Sequence, residues 1–435
     1  MNNYKKSQFN IEIEKDNSCY LWNTLNGSMM RLSTNAIKYY RELPEIFKFT
    51  DNVIFSRLVQ YGYLIPTEYN EIEFVLTKER QAIYAELTES FYVTIATTLS
   101  CNYKCIYCFE KNVINSNKMS KETQDNTIAY ILSLLTKNKI CKKFRITWFG
   151  GEPLLFPEII DYISRPIIEY CAKNNIEYGA TVITNGVKMT EDTLQLLLKN
   201  HVDKTQITID GMPDLYCRNK RCKSEDFYTV IDNIKRASEK LLVSVRINVN
   251  SENIQDVYNL TDYLLDTCQL NGKIKIYLAQ IRTYSHVCPE TANNKQFLLF
   301  NEEFIHKSKE KYGYESITNK RPVRTNSFCK LASYMGGCIG PSGELYRCEH
   351  NIGLQDKVVG DVMVGYYYNN SDSDFLNFQH DKKCLSCRIF PICLGGCKND
   401  IINGTTAIHC DTYIEVSKRR ILEYTLSKLS TKSSL

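Results

Sequence analysis

The chain has 435 residues, 43% hydrophobic and 24% charged, with a net charge of +5 and 18 cysteines. That length exceeds one ordinary hydrophobic core and predicts two or three domains, while the mild positive charge is too weak to argue for nucleic-acid binding. The amino terminus lacks a signal-peptide apolar core and no apolar run of about 18 residues exists, so a cytoplasmic protein is expected, whose cysteines point to metal ligation or redox chemistry and away from disulfides.

The first 88 residues read as a separate α+β module. FNIEIEKD (9–16) and CYLWNTLNGSMMRL (19–32) are strand-like, with a turn at Leu25-Asn26-Gly27. STNAIKYYREL (33–43) opens on a cap signal and predicts a helix, and NVIFSRLVQYGYLI predicts a second that stops at Gly62. The result is winged-helix-like, a shape shared by DNA-binding and peptide-binding domains.

From about Phe91, short β-branched runs alternate with longer helical ones. Strands are predicted at 91–98, 143–149, 179–185, 205–209, 243–250 and 273–281, and helices at 120–136, 157–174, 191–200, 225–240, 254–267 and 294–311. Six strand–helix units imply a parallel sheet with right-handed crossovers. A closed barrel takes eight units, so six predict an open partial (β/α)6 barrel with its site at the carboxyl ends of the strands. After about 325 periodicity fades into cysteines, glycines and turns, where metal clusters are the obvious staples. The tail reads as an amphipathic helix. The expected domains are 1–88, 89–315, 316–415 and a carboxy-terminal helix at 416–435.

CNYKCIYCFE places Cys101, Cys105 and Cys108 just after the first barrel strand, where active-site loops of such barrels lie. Three thiolates are one short of a structural zinc site and one short of a filled [4Fe–4S] cluster. A cluster held by three cysteines leaves one iron open to a substrate or cofactor. Downstream, WFGGEP (148–153), ITNG (183–186) and TIDG (208–211) close the second, third and fourth strands.

In this order the motifs resemble those of the radical S-adenosylmethionine (SAM) enzymes. The resemblance implies a [4Fe–4S] cluster on Cys101, Cys105 and Cys108 that binds SAM and generates a 5′-deoxyadenosyl radical, which abstracts a hydrogen atom from an unreactive carbon. It implies cofactor contacts from Tyr107 (near the adenine), Gly150, Gly151 and Glu152 (at the amino group), and Thr184, Asn185, Thr208 and Asp210 (toward ribose and carboxylate). An arginine pairing the carboxylate falls on Arg218 or Arg221, with Arg218 taken first. The glycines would permit close backbone approach, and Glu152 would accept from an ammonium.

The distal cysteines, Cys329, Cys338, Cys348, Cys384, Cys387, Cys393, Cys397 and Cys410, resemble the SPASM pattern of two-cluster family members. That resemblance implies one auxiliary [4Fe–4S] cluster on Cys329, Cys338, Cys348 and Cys397 and another on Cys384, Cys387, Cys393 and Cys410, hence three clusters in all. Of the remaining cysteines, Cys19, Cys141, Cys171, Cys217, Cys222, Cys268 and Cys288, most are expected to be inert thiols; Cys217 and Cys222 follow the fourth strand, within reach of the active site, and Cys217 is taken as the candidate hydrogen-atom donor.

SPASM-bearing radical SAM enzymes modify peptides or proteins. One branch oxidises a Cys or Ser of sulfatases and carries Asp after the cysteine equivalent to Cys348; here Glu349 stands there, a base candidate, followed by His350. The other branch matures ribosomally made peptides, for instance by thioether formation, and often carries an amino-terminal module that binds the precursor's leader as an added strand. The leading expectation is therefore a precursor-peptide maturase served by a one-electron donor such as flavodoxin or ferredoxin, with no nucleic-acid or membrane partner. Anaerobic sulfatase maturation is the alternative, and a non-catalytic zinc-scaffolded DNA-binding protein the second alternative.

Overall fold

The computed structural model describes residues 3–250, 253–281, 294–313, 316–317, 321–331, 333–404 and 410–432; Cys288 lies outside them. The amino-terminal region holds two three-stranded antiparallel sheets. One orders Phe47–Lys48, Asn3–Lys6 and Leu64–Pro66; the other orders Asn10–Lys15, Ser18–Asn23 and Met29–Leu32, leaving Met29–Leu32 at an edge. Asp16 and Asn17, both with positive φ, make the two-residue turn of its first hairpin. The two expected helices are Thr34–Glu42, capped by the Ser33 hydroxyl, and Val53–Gln60.

A third helix, Glu71–Ile83, follows and was not foreseen. Its buried positions Glu71, Val75, Glu79 and Ile83 recur every four residues, and two of the four are acidic, which hides the apolar stripe that identifies a helix in sequence. Glu71 accepts from Ser7 Oγ (2.6 Å) and Gln8 N (3.0 Å), tying the start of this helix to the first module.

The six barrel strands are Ser90–Ala96, Lys143–Phe149, Glu177–Thr184, Val202–Thr208, Leu242–Val249 and Ile274–Gln280, each parallel to the next. The helices between and after them are Lys121–Lys137, Pro157–Lys173, Glu191–Lys199, Ser224–Ser238, Ile254–Asp262 and Asn294–Tyr312. The fifth ends in a π-helical turn, Tyr263–Thr267. Helix-facing aliphatics such as Ile95, Ile146, Val182, Ile207 and Val245 form one core with the apolar stripes of the helices. An extra short helix, Pro213–Lys220, follows the fourth strand and ends on Arg221 in the left-handed region.

The sheet does not stop at six strands. Gly337–Ile339 pairs parallel to Val93–Ile95 of the first barrel strand, and Glu344–Tyr346, Gly360–Asp361 and Gly365–Tyr366 continue it antiparallel. The cysteine-rich region is thereby welded to the barrel's first edge. The last helix runs Cys410–Lys432. The first module is also closed from the far end of the chain: Ile11, Ile13, Tyr20 and Trp22 bury against Ile389, Ile392, Ile421 and Leu422. Among the described residues no helix is long and apolar enough to cross a membrane.

Candidate active site

At the carboxyl ends of the barrel strands lies a cavity of about 650 Å³. Cys101, Cys105, Cys108, Tyr107, Gly150, Gly151, Thr184, Asn185 and Thr208 all line it. The sequence-predicted residues of four successive strand ends thus meet in one place. The loop carrying the three cysteines is held by backbone bonds to neighbouring strand ends: Gly151 N donates to Thr98 O (3.0 Å) and Glu152 N to Ser100 O (2.8 Å). A Cβ on Gly151 would sit 2.3 Å from Ser100 O, and one on Gly150, whose φ is +117°, 2.2 Å from Thr98 O. Only glycine lets these chains pass so closely.

Glu152 does not line the cavity. It is buried and its carboxylate is committed: Oε1 accepts from Leu154 N (3.0 Å) and Thr184 Oγ1 (2.7 Å), and Oε2 from Asn185 N (2.7 Å). Burial raises its pKa, and these three donors work against that rise. Its visible task is to fix the turn after the third strand, whose Thr184 and Asn185 face the cavity.

Asp210 is fully buried below the fourth strand end. One carboxylate oxygen accepts from the Tyr107 hydroxyl and lies 3.8 Å from Lys220 Nζ; the other has no hydrogen-bond partner among the described residues. Lys220 Nζ also donates to the Tyr107 hydroxyl (3.3 Å). Burial pulls the Lys220 pKa down, but the charges of Asp210 and Cys105 more than offset it and the net shift is upward. Burial and the Asp210 charge hold the Tyr107 hydroxyl well above its ordinary value.

The cation that the short helix sends into the cavity is Lys220. Arg218, expected there, is exposed and does not line it, and Arg221 is the exposed helix cap. Gln206, Arg246, Asn248 and Tyr277 also line the cavity and were not foreseen. The available signal was period two: Gln206 with Thr208, and Arg246 with Asn248, place polar side chains on the inner face of strands whose other face is apolar. Arg246 Nε donates to Asn248 Oδ1 (2.9 Å).

Cys217 is off the cavity wall, packed against the core beside Cys222. Glu349 is half-exposed at most and accepts from Thr94 Oγ1 (3.0 Å). Burial raises its pKa, and Thr94 and the Arg246 charge counter the rise. Glu110, two residues after Cys108, is buried on the cavity wall, and burial together with the Glu349 charge pushes its carboxyl up to about 8.

The thiols fit iron–sulfur clusters by the chemistry of their donor sets. Burial and the charges of nearby acids and thiols push Cys101 and Cys108 up to about 12 and Cys105 upward, so the bare thiols stay protonated and a thiophilic cationic group is the partner that would favour thiolates. A second cavity of about 430 Å³ is lined by Cys384, Cys387, Cys393 and Cys410. Cys393 is pushed up to about 12 by burial and then by the charges of the other three. Cys338 is raised by burial, with Glu349, Cys348 and Cys329 adding to it, and Cys348 by burial, then Cys329 and Cys397. The distal thiols therefore fall into two neighbourhoods, with Cys397 beside the set of Cys329, Cys338 and Cys348. Among the described residues no three His, Cys, Asp or Glu side chains converge on a ready-made single-ion site.

Residues 95–264 match the family model described as the Radical SAM superfamily. The cysteine-type anaerobic sulfatase-maturating enzyme of Clostridium novyi (strain NT) is 24% identical over 371 residues, spanning 76% of this chain and 94% of that protein. The GTP 3′,8-cyclase of Petrotoga mobilis is 29% identical over 181 residues, 39% of this chain and 51% of that protein. Among solved structures, native anSMEcpe with bound AdoMet and Cp18Cys peptide has a TM-score of 0.58 at 17% identity and covers 79% of this chain and 99% of that one. Streptococcus suis SuiB bound to precursor peptide SuiA has a TM-score of 0.55 at 14% identity and covers 93% and 98%. At these identities the two structures share the fold with this chain.

Proposed function

We propose that this chain, whose residues 95–264 match the Radical SAM superfamily model, a family that implies SAM and a [4Fe–4S] cluster, matures a ribosomally made precursor peptide by an oxidative cross-link such as a Cys thioether. Cys101, Cys105 and Cys108 hold the cluster that carries SAM. Two auxiliary clusters sit on Cys329, Cys338, Cys348 and Cys397 and on Cys384, Cys387, Cys393 and Cys410. When bound, SAM and its cluster supply the radical chemistry that removes a hydrogen atom from the substrate.

The chain's own residues do the rest. Gly150 and Gly151 bring backbone against the cofactor, and Glu152 holds Thr184 and Asn185 toward it. Tyr107, Asp210 and Lys220 form a buried polar floor, with Lys220 taking the carboxylate-pairing role first assigned to Arg218. Glu349 is the candidate base, oriented by Thr94. The enclosing aromatics Phe109 and Phe149, whose rings stack 6.3 Å apart, keep water from the reacting centre.

The observation that carries this reading is that the likeness to the precursor-bound structure extends over 93% of the chain, taking in the amino-terminal module. Among the described residues the edge strand Met29–Leu32 pairs on one side only, and a leader peptide can add there as a further strand. Sulfatase maturation is the second reading, favoured by the 94% coverage of the Clostridium novyi enzyme and disfavoured by Glu349. The test is anaerobic incubation of the reconstituted enzyme with SAM, a reduced flavodoxin or ferredoxin, and Cys-rich peptides encoded beside its gene, with and without their leaders. A product lighter by two hydrogens that requires the leader is expected. Intact SAM cleavage with no mass change in any peptide overturns it, and oxidation of a sulfatase-derived Cys peptide instead selects the second reading.

A further inference from the structure

One carboxylate unused by the active site is buried where the two distal thiol neighbourhoods meet. Glu79 Oε2 bonds His380 Nε2 (2.6 Å), and Oε1 lies 3.6 Å from Lys398 Nζ; all three side chains are at most 6% exposed. Each partner stands at a different cysteine set. A Cβ on Gly395 would meet both His380 Nδ1 (3.2 Å) and Cys384 Sγ (3.8 Å), so the imidazole shares a wall with Cys384. Lys398 follows Cys397 directly, and its ammonium feels the Cys329 charge.

The arrangement is left incomplete within the described residues. Glu79 Oε1 makes no hydrogen bond, and neither does His380 Nδ1, although the imidazole is clamped edge-on between Phe378 and Phe390, with ring centroids 5.3 and 4.9 Å away. Burying three polar groups in this manner costs stability unless they serve each other or a further charge. Hydrogen-bond donors and charges around cluster sulfurs set reduction potential.

We propose that the Glu79 carboxylate, set between His380 beside Cys384 and Lys398 beside Cys397, tunes the potentials of both auxiliary clusters through its charge. The inference rests on the two-cluster reading above. Because Glu79 sits on the helix whose first turn grips Ser7 and Gln8, it also joins the peptide-recognition module to the electron-accepting end of the molecule.

The experiment compares the full-length, anaerobically reconstituted chain with Glu79→Gln and with the charge-neutral pair Glu79→Met/Lys398→Met, by iron and sulfide content and EPR-monitored redox titration. Removing one negative charge is expected to shift both auxiliary potentials positive and leave the SAM-binding cluster unmoved. The paired variant is expected to return them toward the unaltered values. Full iron with unshifted auxiliary potentials overturns the proposal, as do equal shifts in both variants. Loss of auxiliary iron from both variants also overturns it and assigns the carboxylate to folding alone. Absence of auxiliary iron in the unaltered chain is a different failure, that of the two-cluster reading itself.

Discussion

Gly151 carries more of the site than its size suggests. Its missing Cβ would lie 2.3 Å from Ser100 O, 2.7 Å from Ser100 C and 2.8 Å from Leu99 O, all backbone atoms of the loop that delivers Cys101. A methyl there cannot be absorbed by a rotamer change, so the loop must move. Gly151→Ala is expected to cost about 1–3 kcal/mol and to lose the iron of the Cys101–Cys108 site while the distal iron stays; iron analysis and a melting curve check both. At this scale the sequence was a good guide where spacing encodes chemistry. The three cysteines and the two glycines line one cavity. It was a poor guide where the identity of a partner depends on rotamer and depth. Glu152 bonds backbone and threonine behind the cavity wall, and the cation beside Asp210 is Lys220, because at the end of a helical turn adjacent basic residues differ only in the direction they point.

Among elements, the short helix Pro213–Lys220 shows how a local ending positions a distant charge. Arg221, left-handed at φ 54°, terminates it, and the last helical residue, Lys220, is turned inward onto Asp210 and Tyr107. Lys220→Met would leave Asp210 as an uncompensated buried charge. A loss of about 3 kcal/mol is expected, measured by chemical denaturation, with most of it regained when Asp210→Asn is added. A double variant as unstable as the single one would sink this account. The six barrel strands were legible because each is a β-branched run of seven or eight residues framed by an amphipathic helix. Gly337–Ile339 was not: three residues carry no period, and their strand state is imposed by Val93–Ile95 across the ladder. The helix Glu71–Ile83 escaped for the opposite reason. Its buried face includes two carboxylates whose partners, Ser7 at one end and His380 and Lys398 at the other, are far away in sequence.

For the molecule as a whole, the decisive contact is between its two ends. Ile11, Ile13, Tyr20 and Trp22 complete their burial only against Ile389, Ile392, Ile421 and Leu422, and Gln8 and Thr24 bond the backbone of Leu385 and Arg388. The cysteines Cys384, Cys387 and Cys393 lie within that seam. Removal of residues 1–88 is therefore expected to strip iron from the distal set and expose apolar surface, each buried aromatic or aliphatic side chain forgoing about 1.5–3 kcal/mol. Iron content and dye binding of the truncated chain check it, and a truncated chain with full iron would show the module to be separable.

The same seam fixes an order of events during synthesis. The first sheet leaves the ribosome with Trp22 and its neighbours uncovered, and the residues that cover them, Ile389, Ile392, Ile421 and Leu422, are made only after the whole barrel. Until then the nascent chain presents an apolar face and an unfinished thiol set together. Any iron that these thiols take up is therefore expected to be held only once both sides of the seam have been made and have met.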